Sequence, residues 1–307
     1  MTPLLENADL NARTGGRILL KAETLQRTGS FKFRGAYNCL SQIPEDERPR
    51  GVIAYSSGNH AQGVAAAAQL LGIKATILMP FDAPKVKVAN TKRYGAEVIH
   101  FDRFTESREE LAEALRAETG GVLINPFDDP DLIAGQGTCG LEIAQQLQAL
   151  ELTPDAVLIC VGGGALCAGS ALAVKHYWED CQVYSVEPAD FDDTARSLRS
   201  GTRERIDPAA RSICDALLSP MPGKMTFELN KKLLAGGLTV TDDEVRKAMA
   251  FAFHTLKLVV EPGGAVCLAA ALEGKLSTAG RTVALTLSGG SVDPERLAEA
   301  LEANPAA

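Results

Sequence analysis

Three stretches of the chain carry residue types that can do chemistry on a small molecule. In "GSFKFRGAY", residues 29–37, Lys32 stands between Phe31 and Phe33. A lone lysine is ordinarily a solvated surface charge. Two flanking phenylalanines favour partial burial, and burial lowers an amine's pKa because the charged form loses its hydration. The neutral amine is a nucleophile that forms Schiff bases with carbonyl groups. In "VGGGALCAGSALAVKH", a strand pattern ends at Val161, three glycines follow, and a helix pattern begins near Ala165. Glycines let the backbone approach a ligand, and a helix N-terminus offers free N–H groups and positive dipole. That suits a phosphate as well as it suits a plain tight turn. No GK[ST] follows, so it is not a Walker loop, and the GxGxxG spacing of a dinucleotide site is missing. In "SVEPADFDDTARS", Glu187 and Asp193 stand six residues apart behind a strand pattern. Hard oxygen ligands of this kind suit Mg²⁺ or Ca²⁺. By spacing alone an acidic surface loop is the simpler reading.

A phosphate cradle and a Schiff-base lysine in one chain point together to pyridoxal phosphate. Such a site needs elements that converge. The stretch "RGVIAYSSGNHAQGVAAAAQLLG" passes from a strand over 51–55, through a Ser-Gly-Asn turn, into an alanine-rich helix. "KATILMP" and "AEVIHF" are further strands, and "APKVKVANTKRYG" is a helix ended by Gly95. "TESREELAEALRAETG" is a helix that Thr105 is expected to cap, and "GVLINPF" closes the series. "DAVLICV", "CQVYSVEP" and "RTVALTLSGG" follow, with helices between them. Short buried strands alternating with helices imply βαβ units and an α/β fold of mostly parallel sheets. Turn-rich breaks at "PRG" (49–51) and "FDDP" (127–130) divide the chain. Residues 1–50 and 128–307 are expected to form a large cofactor-binding lobe, and 51–127 a small inserted one. In open α/β sheets, ligands collect at the carboxyl ends of strands. The turns "SSGNH" (56–60), "VGGGAL" (161–166) and "LSGGS" (287–291) all fall there.

Composition narrows the function classes. The 307 residues are 46% hydrophobic, with a net charge of −8 and a pI near 5.2. That balance offers no basic patch for nucleic acid or an anionic membrane. No apolar run approaches the ~18 residues of a membrane helix. The start, "MTPLLENADLNARTGG", lacks the pattern of a secretory signal. Seven cysteines, scattered and without a CxxC pair, read as free thiols of a reducing compartment. The expectation is a cytoplasmic globular protein.

The motifs taken together resemble the serine racemase and serine/threonine dehydratase family of pyridoxal-phosphate enzymes, whose fold is that of tryptophan synthase β chains. The matching stretches are "TPL" (2–4), "KAETLQRTGSFKFRGA" (21–36), "SSGNHAQGVA" (56–65), "AGQGT" (134–138), "VGGGAL", "VEP" (186–188), "VEPGGA" (260–265) and "LSGGSVD" (287–293). They run in family order across nearly the whole chain. The resemblance implies two lobes of mostly parallel sheet flanked by helices. It implies ammonia-lyase action on L-threonine or L-serine, with serine racemisation or 3-hydroxyaspartate dehydration as alternatives on the same site.

It also implies roles, residue by residue. Lys32 is the Schiff-base lysine, beside Phe31, and takes the Cα proton once the substrate has displaced it. Asn59 bonds the cofactor's phenolic oxygen. Gly162, Gly163, Gly164, Ala165 and Leu166 wrap the phosphate; the family often has a fourth glycine where this chain has Ala165, which alters one backbone contact. Glu261 and Ser288 complete the cofactor set. Ser288 is the partner of the pyridine nitrogen, and a hydroxyl there, rather than a carboxylate, favours β-elimination. Ser56, Ser57, Asn59 and His60 receive the substrate carboxylate, with Arg108 and Ser219 as further substrate residues. Ser57 is implied as a second acid/base on the face opposite Lys32. Glu187, the Phe191 carbonyl and Asp193 are implied as a Mg²⁺ site, with Ca²⁺ or Mn²⁺ as alternatives. A homodimer is expected. Fourteen residues follow Asp293, so a C-terminal regulatory domain, and isoleucine feedback, are not expected.

Overall fold

The computed structural model describes residues 1–305. Ten strands form two sheets. They are β1 (Leu4–Glu6), β2 (Arg17–Ala22), β3 (Val52–Tyr55), β4 (Ala75–Pro80), β5 (Glu97–Phe101), β6 (Val122–Leu123), β7 (Ala156–Cys160), β8 (Gln182–Pro188), β9 (Gly236–Val240) and β10 (Thr282–Leu287). The larger sheet has the order β1-β2-β10-β7-β8-β9, and the smaller β5-β4-β3-β6. Every pairing is parallel except that of β1 with β2. The smaller sheet is built entirely from residues 52–123.

The central strands of the larger sheet are apolar throughout because helices cover both faces. Val157, Leu158, Ile159 and Leu285 are fully buried. Each such side chain contributes about 1.5–3 kcal/mol relative to an exposed one. The core of the smaller sheet includes Val52, Ala54, Ile77 and Met79, and extends to Ala36 and Leu40 of the helix Lys32–Ser41. That helix therefore packs toward the smaller sheet, while the residues just before it reach the larger one. Phe31 N–H donates to the Ser288 carbonyl at 3.1 Å, and Ser30 forms a β-bridge with Gly289.

One expected cap is displaced. The helix that Thr105 was to open runs over Arg108–Thr119, and Ser107 caps it by accepting from the Glu110 N–H. Asp102 is the reason. Its carbonyl accepts from the N–H groups of Thr105 and Glu106, and its side chain from Phe104. These bonds close a separate turn that holds Thr105 outside the helix.

Candidate active site

Lys32 opens the helix Lys32–Ser41. A second helix, Asn59–Leu71, lies against its start: a Cβ on Gly63 would stand 3.0 Å from the Lys32 carbonyl carbon and oxygen. Two residues on, Arg34 anchors the same helical turn in a buried ion cluster. Its Nε donates to Glu23 Oε2 at 2.7 Å and its Nη1 to Glu142 Oε1 at 2.7 Å. Lys21 donates to the other Glu142 oxygen at 2.7 Å. Burial pushes the Glu142 carboxyl up, but the Arg34 and Lys21 hydrogen bonds win and hold it at about 2. The start of the helix is thus tied to strand β2 and to the helix Pro130–Ala149.

Lys32 is half-buried by surface, yet protein packs closely around its amine. Nζ donates to the Pro126 carbonyl at 3.1 Å and lies 5.4 Å from the Phe31 ring centre. Burial lowers its pKa to about 8. The amine faces a cavity lined by Phe31, Phe127, Cys160, Val161, Leu217 and the run Gly162–Leu166. Strand β7 delivers Val161 to this edge, and the helix Ala165–Tyr177 starts beyond it. Gly164 holds φ at +105°, a left-handed conformation that favours glycine. No side chain caps this helix, so its first N–H groups are available to an anion. The expected cofactor residues Phe31, Lys32, Gly162, Gly163, Gly164, Ala165 and Leu166 therefore share one cavity.

Asn59, Glu261 and Ser288 do not line this cavity; they cluster near it, with Ser288 against Cys160. Asn59 Nδ2 donates to Glu261 Oε1. The Glu261 N–H donates to the Gly289 carbonyl at 3.0 Å, next to buried Ser288. Cys160 sits by Ser288 and Lys32; burial pushes its thiol up to about 11, partly offset by the Ser288 hydroxyl. The thiol is therefore neutral near pH 7, when Lys32 is partly deprotonated. His60 is buried. Burial, and then the Lys32 charge, lower its pKa to about 3. It is a neutral imidazole beside the amine.

Ser56 and Ser57 line a second, more open cleft with Arg103, Ser107, Arg108 and Glu109. Arg108 donates through Nε to Glu109 Oε1 at 2.8 Å, and its guanidinium lies 5.2 Å from the centre of the Tyr55 ring. Ser219 lines neither cavity; it is half-buried, two residues beyond Leu217. Glu187, Phe191 and Asp193 lie apart from both. Glu187 is fully buried at the end of β8 and accepts from the N–H groups of Thr194 and Ala195 at 2.9 and 2.8 Å. Asp193 Oδ2 is buried without a hydrogen-bond partner. Burial pushes Asp193 up to about 7, and burial with the Asp193 charge raises Glu187 well above its ordinary range. Two adjacent buried carboxylates with an unused oxygen suit a cation. Among the described residues no three His, Cys, Asp or Glu side chains gather as metal ligands. Backbone and water would have to complete the shell.

Several residues of the site lay outside the sequence reading. Phe127, Cys160, Ala216 and Leu217 line the cofactor cavity. Lys87 is fully buried and pairs with Glu261 and Asp215.

Residues 1–289 match the family described as pyridoxal-phosphate dependent enzyme. L-threo-3-hydroxyaspartate ammonia-lyase of Saccharomyces cerevisiae is 43% identical over 97% of this chain and 90% of its own length. Serine racemase of Schizosaccharomyces pombe is 41% identical over 98% and 91%. The crystal structure of the T.th. threonine deaminase superposes with a TM-score of 0.89, is 47% identical, and matches 95% of this chain and 93% of that one. The chain belongs to the pyridoxal-phosphate dependent enzyme family. Its fold is the type II, tryptophan synthase β-like fold of those enzymes.

Proposed function

We propose that the protein is an ammonia-lyase that removes water and then ammonia from L-threonine or L-serine. The observation that carries this reading is the pairing of a buried nucleophilic amine, Lys32, with an uncapped glycine-rich helix start across one cavity. Bound there, pyridoxal phosphate supplies an electron sink for the pair left on Cα. Gly162–Leu166 would hold its phosphate, Asn59 its phenolic oxygen and Ser288 its ring nitrogen. A serine hydroxyl gives that nitrogen a weaker hold on a proton than a carboxylate would, which favours loss of a β-leaving group over deeper delocalisation. Lys32, when its amine is free, would accept the Cα proton. In net terms the Cα hydrogen and the β-hydroxyl would leave as one water, and the enamine would take up water to give a 2-oxo acid and ammonia. Ser56, Ser57, Asn59 and His60 supply the substrate carboxylate site. His60, held neutral, adds no charge of its own.

A second reading is favoured by the open cleft, where Arg103 and Arg108 flank Ser56 and Ser57. A substrate with a second carboxylate, such as 3-hydroxyaspartate, would meet both guanidiniums. Racemisation of serine is a further activity of the same site if Ser57 serves the face opposite Lys32. We also assign a divalent cation, Mg²⁺ in the first place, to Glu187, Asp193 and the Phe191 carbonyl. Residues 51–127 form the small lobe. The protein works in the cytoplasm, a reading supported by seven unpaired cysteines, and no helix among the described residues is long and apolar enough to cross a membrane. It assembles as a homodimer, a reading supported by an exposed apolar groove that includes Leu141, Leu172 and Met225. The deciding experiment offers L-threonine, L-serine and L-threo-3-hydroxyaspartate to the holoenzyme and measures 2-oxo acid and ammonia. Highest kcat/KM on L-threonine or L-serine is expected. Preference for the dicarboxylate selects the second reading, and no release from any of them removes the lyase assignment.

A further inference from the structure

The helix Lys85–Arg93 sends Lys87 into the interior, where its side chain is 1% exposed. Nζ lies 2.9 Å from Glu261 Oε2 and 2.6 Å from Asp215 Oδ2. The lysine follows strand β4 of the smaller sheet. Glu261 immediately precedes the helix Pro262–Leu272 beside β10 of the larger one, and Asp215 lies in a short turn between β8 and β9. The aliphatic stem is fixed as well. A Cβ on Gly58 would come within 2.8 Å of Lys87 Cδ, so the residue before Asn59 is held against the lysine. The other Glu261 oxygen, Oε1, accepts from Asn59 Nδ2, and Asn59 Oδ1 accepts from Gln62 Nε2 at 3.3 Å.

A carboxylate only accepts hydrogen bonds, whereas a carboxylic acid also donates one. While Glu261 is ionised, the amide nitrogen of Asn59 must face it. One N–H is then spent on Glu261, and the second remains for an acceptor in the cavity. A protonated Glu261 would serve either end of the amide, and the amide would lose its preferred orientation. Burial favours the protonated acid; the Lys87 ammonium opposes it. Burial also draws the Lys87 pKa down, but Glu261 and Asp215 outweigh it and raise it above its ordinary value. The ammonium therefore persists at neutral pH.

We propose that Lys87 is a positioning residue that acts through Glu261 to turn one N–H of Asn59 toward the phenolic oxygen of the bound cofactor. Because the lysine and its carboxylates belong to elements of different sheets, the same contact ties the fit of the two sheets to the polarity of the cofactor pocket. The proposal rests on pyridoxal phosphate as the occupant of the cavity.

The test compares holoenzyme of wild type, Lys87→Met, Glu261→Gln and the double variant. The readouts are the ratio of the cofactor's visible and near-ultraviolet absorption bands, which follows the proton beside the phenolic oxygen, and kcat and KM separately. Lys87→Met is expected to shift the ratio toward the shorter-wavelength band. It should lower kcat by about ten- to a hundredfold, as for a misplaced reacting group, with KM nearly unchanged. Glu261→Gln should give the same shift, and the double variant no further one. A folded Lys87→Met protein with wild-type bands and kcat overturns the proposal, even if its melting temperature falls. Additive effects in the double variant overturn it too, since Lys87 would then act apart from Glu261. Should Lys87→Met fail to fold by circular dichroism, Glu261→Gln decides alone, and a wild-type spectrum there is the overturning result. A wild-type protein that binds the cofactor without either band would overturn the cofactor assignment, and the proposal with it.

Discussion

The pKa of Lys32 makes a quantitative demand on how the protein acquires its cofactor. Burial places the amine at about 8. At pH 7 about a tenth of it is then neutral, against about 0.04% for a lysine of ordinary pKa near 10.4, a gain of a few hundredfold in reactive amine. The sign follows from the same shift. The reactive fraction should rise about tenfold per pH unit below 8 and level off above it, whereas an ordinary lysine keeps rising to about 10.4. The assay is the rate at which apo-protein captures pyridoxal phosphate between pH 6 and 10, divided by the rate for Nα-acetyl-lysine at each pH. The division removes the cofactor's own titration. Wild type should break near pH 8. Phe127→Ala, which opens the cavity wall, admits water to the amine and should move the break upward. Lys32→Ala should give no linkage reducible by borohydride while the fold stays intact. A wild-type profile that climbs unbroken to pH 10 would refute the reasoning, because it would mean that the surrounding protein does not desolvate the amine.

Two further outcomes follow from the neighbouring groups. Ser57→Ala should lose D-enantiomer formation, read as deuterium entering Cα of each recovered enantiomer, by about the 10²–10⁴ of a general acid/base, while elimination from L-threonine falls far less; equal losses would assign Ser57 to binding. Chelation should lower the melting temperature or activity of wild type and have little further effect in Glu187→Ala/Asp193→Ala, and an equal response in both proteins would remove the cation site.

Much of the site was legible because its parts are backbone features with sequence marks. A glycine run between an apolar strand and a small-residue helix marks either a tight turn or an anion site, and the helix begins at Ala165 as the pattern implied. The flanking phenylalanines marked Lys32 correctly as an amine in a low-polarity setting. Strands β3, β4, β7 and β10 were visible as largely apolar runs that end in turns, and β5 and β8 as shorter apolar or alternating patterns before a turn. The two edge strands of the larger sheet were not. Strand β1 is three residues long, and β9 begins with two glycines, so neither carries a period to read. Ser107 replaced Thr105 as a cap because the choice depends on which turn Asp102 closes, a contact that the order of residue types does not encode.

Lys87 shows where pattern reading reaches its limit. In "KVKVANTKR" the valines are the residues expected to face inward, yet Val86 and Val88 are only partly buried while Lys87 is fully so. Burying an ammonium without partners would be prohibitive. What makes it tolerable is a pair of carboxylates more than a hundred residues away, Asp215 and Glu261. Local propensity is nearly silent about such a residue, because its stabilising partners lie on other elements. The same feature makes it informative once the fold is known. A buried charge that breaks the apolar rule beside a cofactor pocket, and whose partner bonds a cofactor residue, has a cost that core packing alone does not explain. Replacing the Lys87–Glu261 pair with apolar residues could leave the fold as stable or more so, but it would leave Asn59 without the acceptor that fixes its amide. The asymmetry between those two consequences is the reason to place Lys87 with the machinery of the site rather than with the core.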